Sequence, residues 1–195
     1  FMAVTLVLFL GLAFFFSRRI NLIFQGYKQL QAKHRQKLEK LNRFLKRQAT
    51  TDALTQIHNR AYFNTRLKQE ISRSNRYSTD LGLILFDIDD FKVINDTLGH
   101  VKGDLILKQM ATLCRENIRS SDVLARWGGE EFAIMVPDIA DGETAPALAD
   151  KLCQLIRGHP FSVESSLTCS FGVSHYKKNE KTDDFINRAD MALYV

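Results

Sequence analysis

Two adjacent carboxylates, Glu130 and Glu131, follow two glycines in the stretch RWGGEEFAIMV, residues 126–136. The apolar runs on either side indicate a β-hairpin with these four residues at its tip. Like charges repel at such a tip, so the pair either lies in water as a solvated turn or binds something cationic. Gly128 and Gly129 would allow positive φ angles in the turn and a close approach of a ligand to the backbone.

A second acidic stretch follows LGLILF, residues 81–86, an apolar run typical of a strand that is buried on both faces. Asp87 comes directly after this run, and Asp89 and Asp90 follow it. Ligands collect at the carboxyl ends of strands, although three aspartates in four residues are equally typical of a polar loop. If the hairpin lies beside this strand, Glu130 approaches Asp87. Such hard oxygen ligands suit Mg²⁺, with water and substrate phosphates completing its shell.

The elements that must position these carboxylates alternate between helix and strand. The predicted order is α, β, α, β-hairpin, α, β, α, which indicates an α+β sheet of palm type flanked by helices. We expect four helices: one after residues 50–60, one over about 104–118, one that ends at Gly158 and one that begins near Thr182. One or two strands are expected within FSVESSLTCSFGVSHY.

The net charge of +5 is unevenly distributed along the chain. Residues 17–50 contain ten lysines and arginines and one glutamate, a net charge of +9. Residues 51–195 contain seventeen basic and twenty-one acidic residues, a net charge of −4, which does not predict a nucleic-acid-binding surface.

The chain begins with FMAVTLVLFLGLAFFF, sixteen residues without a charge. We expect residues 1–17 to be the last part of a transmembrane helix whose start lies before Phe1; a buried core helix is the alternative. The basic residues follow the apolar run, whereas a signal peptide has them before it. Their position predicts that the remainder of the chain lies in the cytoplasm. The three cysteines have no metal-binding or redox spacing, which agrees with a reducing compartment.

Residues 18–49 are expected to form a basic linker helix. A seven-residue repeat with two polar interruptions predicts a parallel coiled coil, which would dimerise the chain; binding to anionic headgroups is the alternative. The repeat consists of Ile20, Ile23, Tyr27, Leu30, His34, Lys37, Leu41 and Phe44.

Four motifs resemble those of the GGDEF family of diguanylate cyclases over nearly all of residues 50–194. RWGGEEF resembles the family signature in its GGEEF form, and TDALTQIHNR resembles the motif that opens the domain. FDIDDFKVINDTLGHVKGD is similar to the metal- and guanine-binding loop, and ADMALY to the last-helix motif. The resemblance implies a palm-type fold related to nucleotidyl cyclases over residues 50–195, and a domain that continues past Val195.

The resemblance also implies a role for each matching residue. Asp87, the Ile88 carbonyl and Glu130 would hold Mg²⁺, with Mn²⁺ as an alternative, and Glu131 would assist metal binding or deprotonate the attacking 3′-hydroxyl. Asn95 and Asp104 would bind the guanine edge of GTP, Lys92 would contact phosphate, and Gly128 and Gly129 would leave room for the nucleotide. Two facing domains would condense two GTP into cyclic di-GMP and two pyrophosphates, which requires a homodimer.

The sequence RSSD, residues 119–122, has the form RxxD, and five residues separate it from Gly128. A pattern this short is common by chance as a surface pair. The resemblance implies an inhibitory site in which Arg119 and Asp122 bind the product, cyclic di-GMP. The alternative to an active enzyme is a catalytically inactive domain that serves as a receptor for GTP or cyclic di-GMP.

Overall fold

The computed structural model describes residues 2–139, 143–162 and 167–193. The chain divides into two compact units, residues 1–47 and 48–195. Helix α1 spans Met2–Thr50, and its residues up to Arg47 belong to the first unit. Several large apolar side chains of this helix are exposed, among them Tyr27, Leu30 and Leu41 of the predicted repeat. No helix among the described residues has the length and hydropathy needed to cross a membrane, so the expectation for residues 1–17 is unsupported.

The second unit is a five-stranded mixed sheet flanked by helices. Its strands are β1 (His58–Asn59), β2 (Asp80–Ile88), β3 (Val123–Gly128), β4 (Glu131–Ile139) and β5 (Cys169–His175), in the spatial order β1-β3-β4-β2-β5. Its helices are α2 (Arg60–Tyr77), α3 (Phe91–Leu98), α4 (His100–Asn117), α5 (Thr144–Gly158) and α6 (Thr182–Leu193). The predicted α+β class and the hairpin are therefore confirmed.

Strand β2 is an interior strand of the sheet, the fourth in its spatial order, with β4 and β5 antiparallel on its two sides. Leu81, Leu83 and Leu85 pack on one face with residues of α2 and α6. Ile84, Phe86 and Ile88 pack on the other face with residues of α4 and α5. Both faces of the strand are covered, which explains why residues 81–86 form an unbroken apolar run.

Three local features differ from the sequence-based expectations. Strand β1, which pairs parallel with β3, was not predicted because two residues are too few to show a period. Helix α3 covers residues expected to be a loop, and α4 begins at His100 rather than near residue 104. Gly99, with a φ of 83°, separates these two helices. A strand predicted before β5 falls partly on residues 163–166, outside the described residues.

Candidate active site

Asp87 lies near the carboxyl end of strand β2, where the neighbouring strands β4 and β5 contribute polar residues of their own. In the sheet register it lies opposite Glu131 of β4 on one side and Ser170 of β5 on the other. Its side chain is half-buried, and its Oδ1 atom is fully buried without a hydrogen-bond partner. A buried carboxylate oxygen without a hydrogen-bond donor costs free energy. This cost would be offset if Oδ1 coordinated a cation in the working protein.

The electrostatics at this edge show that the carboxylates are close to one another. Burial and then the charge of Glu130 raise the pKa of Asp87 from 3.8 to about 6, and the charges of Glu131 and Asp89 add to the rise. A hydrogen bond from the backbone of Ile88 acts in the opposite direction. The structure therefore brings Asp87, Glu130 and Glu131 together and leaves their mutual repulsion uncompensated.

The two glycines of the hairpin provide space and not the expected backbone conformation. Neither has a positive φ, since Gly99 is the glycine with positive φ among the described residues. The expectation of left-handed residues in this turn is therefore wrong. A register shift between Arg126 and Gly128 lets the strands join without them. A Cβ atom on Gly128 would lie 2.9 Å from Oε2 of Glu131, whereas one on Gly129 would meet nothing within 4 Å.

The remaining two aspartates of the acidic stretch have structural partners. Asp89 accepts a hydrogen bond of 2.7 Å from the Ser170 hydroxyl through Oδ1, and its amide donates to the Thr168 carbonyl at 3.1 Å. Asp90 adopts a left-handed conformation with a φ of 55° and starts helix α3. The stretch therefore combines Asp87, which resembles a metal ligand, with two aspartates that shape the loop. It is in part a ligand site and in part a polar loop.

The residues expected to bind the nucleotide lie on α3 and α4, which follow the acidic stretch. Asn95 is half-buried, and its Oδ1 atom lies so close to Gly103 that a Cβ there would be 2.0 Å away. The next residue, Asp104, is exposed in the first turns of α4, and Lys92 is exposed in the first turn of α3. Asn95 thus lies against the residue that precedes Asp104, so these two expected guanine ligands are neighbours.

The RxxD sequence lies at the other end of β3 from the glycines. The Arg119 amide donates a hydrogen bond of 2.8 Å to Oδ2 of Asp122, and the Arg119 side chain is exposed. Burial raises the pKa of Asp122, although the Arg119 amide and charge oppose this effect. Cavities of about 440 and 460 Å³ are both lined by Ile118, Arg119 and Asp122, and Lys151 also lines the first. Neither is lined by Asp87 or by the two glutamates, so these open clefts lie away from the carboxylate edge.

Asp87 and Glu130, with the Ile88 carbonyl, fit a metal site that a substrate completes. In the described parts of the chain, no group of three or more histidine, cysteine, aspartate or glutamate side chains is placed to hold a metal ion. Mg²⁺ needs only one or two protein carboxylates when phosphate oxygens and water supply the rest of its shell. The unpartnered Oδ1 atom of Asp87 is the observation that indicates such a ligand.

Sequence reasoning missed one residue of this region, Arg126. Its guanidinium contacts Asp52 and also the carbonyl of Gly129. An arginine next to a glycine-rich acidic turn was the available signal. Trp127 packs edge-on against Phe63, and the Arg60 guanidinium lies 4.2 Å from the centre of the Trp127 ring.

The fold and this carboxylate edge together define a class of protein, an α+β domain with an acidic site at the end of strand β2. Residues 49–195 match the family described as "Diguanylate cyclase, GGDEF domain". The chain belongs to this family.

Similar proteins support this assignment. The chain is 41% identical over 152 residues to the diguanylate cyclase DgcP of Pseudomonas aeruginosa, which covers 76% of this chain and 22% of that protein. It is 35% identical over 164 residues to the diguanylate cyclase TpbB of the same organism, covering 82% of this chain and 38% of that protein. The chain thus spans well under half the length of these curated relatives.

A solved structure of the coiled coil and GGDEF domain of DgcB from Caulobacter crescentus, in complex with c-di-GMP, matches this fold. The TM-score is 0.82 at 26% sequence identity, and the match covers 88% of this chain and 92% of that one.

Proposed function

We propose that this chain is a diguanylate cyclase that condenses two GTP molecules into cyclic di-GMP and two pyrophosphates, as a Mg²⁺-dependent homodimer. The observation that carries this proposal is the buried, unpartnered Oδ1 atom of Asp87 beside Glu130 and Glu131. The family membership of residues 49–195 and the GGEEF form of the signature support it.

In this mechanism Asp87, the Ile88 carbonyl and Glu130 would hold the metal, and Asn95 and Asp104 would hold the guanine. A carboxylate suits guanine because it accepts hydrogen bonds from N1–H and N2–H₂. The metal, when bound, neutralises charge on the triphosphate and on the departing pyrophosphate. Mn²⁺ has the same preference for oxygen ligands and is an alternative.

The remaining residues of the site orient the reaction. Glu131 accepts the proton of the 3′-hydroxyl, whose oxygen then bonds to the α-phosphorus of the other GTP as the bond to pyrophosphate breaks. Lys92 contacts phosphate, and Gly128 and Gly129 leave room for the nucleotide. One domain holds one GTP, so both bonds of the cyclic product form only when two domains face each other. The exposed Tyr27, Leu30 and Leu41 of α1 support dimerisation through residues 18–49.

The test is to incubate the chain with GTP and Mg²⁺ and to identify cyclic di-GMP and pyrophosphate by mass spectrometry. Glu131→Gln should abolish turnover without lowering the thermal unfolding midpoint, because the amide cannot accept the proton but removes a repulsive charge next to Asp87. Glu116→Gln, on the exposed side of α4, is the matched control and should retain activity. If well-folded dimer forms no cyclic di-GMP, the proposal is wrong.

A second candidate function is a catalytically inactive receptor for cyclic di-GMP. The cavities of about 440 and 460 Å³ beside Arg119 and Asp122 favour it, and in an active enzyme the same residues would form a product-inhibition site. Calorimetry with cyclic di-GMP separates the two functions when it is combined with the turnover assay. Arg119→Ala should weaken binding and relieve product inhibition, and unchanged inhibition would contradict this assignment.

We also propose that the protein is anchored at the bacterial inner membrane with its GGDEF domain in the cytoplasm. The sixteen uncharged residues followed by Arg18 and Arg19 support this arrangement. Membrane fractionation followed by alkaline extraction tests it, since an anchored protein stays in the pellet and a peripheral one is released.

A further inference from the structure

Arg126 joins the hairpin turn to the segment that opens the GGDEF domain. Its Nε and Nη2 atoms both donate to the carbonyl oxygen of Gly129, at 2.9 and 2.6 Å. Its Nη1 atom lies 3.3 Å from Oδ1 of Asp52 and 3.5 Å from Oδ2. One guanidinium therefore contacts the turn that carries the two glutamates and a carboxylate 74 positions earlier in the chain.

Asp52 is itself held in place by the backbone of its own loop. Its Oδ1 atom accepts hydrogen bonds from the amide and the hydroxyl of Thr55, at 2.8 and 2.7 Å. Its amide donates to the Ile57 carbonyl at 2.9 Å. Burial opposes ionisation of Asp52, but the Thr55 hydrogen bonds and the Arg126 charge outweigh it and lower its pKa. Asp52 is thus a fixed, charged anchor for the arginine.

The ion pair is more enclosed than an ordinary surface pair. The side chains of Arg126 and Asp52 are only 19% and 22% exposed. Exposed pairs contribute little because water screens them, whereas this pair is partly desolvated, and two further nitrogen atoms of the same guanidinium donate to the Gly129 carbonyl. The contact is therefore suited to fixing the position of the atoms it touches.

The hairpin turn needs such a restraint. Two consecutive glycines, Gly128 and Gly129, leave its backbone free to adopt many conformations, and the pair of charges that follows repels itself. Gly129 is exposed, and a Cβ there would meet nothing within 4 Å, so side-chain packing does not restrain it. Its carbonyl, however, receives two donors from Arg126.

We propose that Arg126 is a positioning residue that holds the Gly129 carbonyl and so directs Glu130 and Glu131 towards Asp87, with Asp52 as its anchor. The consequence for turnover rests on the proposed cyclase activity, whereas the restraint on the turn does not. Lysine cannot reproduce this arrangement, because a single ammonium does not supply two parallel donors to one carbonyl and a third to a carboxylate.

Arg188 offers a matched control at a distance from the site. Its guanidinium also bridges a carboxylate and a backbone carbonyl: it donates to Glu180 at 2.8 and 2.7 Å and to the carbonyl of His175. His175 lies opposite Gly82, near the other end of β2 from Asp87. Arg188→Lys therefore removes a contact of the same kind without affecting the hairpin turn.

The experiment compares the full chain with its Arg126→Lys, Asp52→Asn and Arg188→Lys variants. Backbone amide exchange of residues 128–132 is measured without nucleotide or metal, and kcat and KM for GTP are measured with Mg²⁺. Arg126→Lys should raise the amide exchange rate in the turn about tenfold and lower kcat about tenfold, whereas KM should change less than threefold. Asp52→Asn should produce the same pattern more weakly. Arg188→Lys should leave the exchange rate of the turn and kcat near their wild-type values, even if it lowers the unfolding midpoint as much as Arg126→Lys does.

The outcomes separate the two proposals. Unchanged exchange in the turn of Arg126→Lys overturns the positioning role, and so does faster exchange with wild-type kcat. Equal losses of kcat in Arg126→Lys and Arg188→Lys overturn it as well, since they indicate a general loss of stability. Faster exchange in a chain whose wild-type form makes no cyclic di-GMP supports the restraint and overturns the proposed activity. If Arg126→Lys fails to fold, Asp52→Asn decides by the same criteria.

Discussion

Replacing Asp87 by asparagine should stabilise the metal-free protein while it removes the metal ligand. The carboxylate ionises at 3.8 in the reference state and at about 6 in the folded protein, so folding favours its neutral form. The rise from 3.8 to about 6 corresponds to about 3 kcal/mol. Because the side chain is only half-buried, solvent screening reduces the expected effect to about 2 kcal/mol. Asparagine keeps the shape and an acceptor oxygen but carries no charge.

The pH dependence of this effect has a defined direction. Below about pH 4 Asp87 is neutral in both states, and the wild type and Asp87→Asn should have equal free energies of unfolding. As the pH rises from about 4 to about 6, the unfolded wild type loses its proton more readily than the folded one, so the wild type loses stability. Above about pH 6 the difference should stay constant, with the variant more stable by about 2 kcal/mol.

The assay is urea denaturation between pH 4 and pH 8 in the presence of a chelator. Asp96→Asn, which removes an exposed carboxylate of α3, is the control and should change the free energy of unfolding by less than about 0.5 kcal/mol. A variant less stable than wild type at pH 8, or a difference that does not depend on pH, would refute the reasoning. Mg²⁺ with a non-hydrolysable GTP analogue should narrow the gap, because only the wild type gains a bound cation.

Two further predictions concern backbone conformation and packing near the nucleotide. Gln56 has a φ of 60°, a left-handed conformation that glycine adopts more readily than alanine. Both Gln56→Gly and Gln56→Ala lose the side-chain amide, so the glycine variant should have the larger free energy of unfolding, by about 1 kcal/mol. Equal values in urea denaturation would contradict this. Gly103→Ala should displace the Asn95 amide, 2.0 Å from the new Cβ, and raise KM for GTP about tenfold in steady-state kinetics. Gly158→Ala, whose Cβ meets nothing within 4 Å, should leave KM unchanged.

The parts of the fold that sequence predicted are those with a clear period or a strong local signal. The unbroken apolar run of 81–86 indicated a strand covered on both faces, and it forms an interior strand of the sheet with core residues on both faces. The hairpin followed from two apolar runs around a glycine-rich turn. Pairing it with that run predicted Glu130 near Asp87, and the strand register has the next residue, Glu131, directly opposite. The neighbourhood of the three carboxylates was therefore predictable before their geometry was known.

Other features depend on partners that are distant in sequence. Strand β1 has two residues and exists because β3 offers a parallel partner. The contact of Arg126 with Asp52 spans 74 positions, so no local pattern could indicate it. The φ angles of Gly128 and Gly129 were predicted wrongly because the strand irregularity before the turn, and not the glycines, allows the chain to reverse.

The length of strand β3 has a consequence for kinetics. Asp122 precedes its first residue and Gly128 is its last, so about six residues, or roughly 20 Å, separate the RxxD sequence from the hairpin turn. A ligand at one end cannot block the other end by occupying the same space. Product bound at Arg119 should therefore act as a noncompetitive inhibitor, lowering the maximal rate at every GTP concentration, and a single domain should hold substrate and product together.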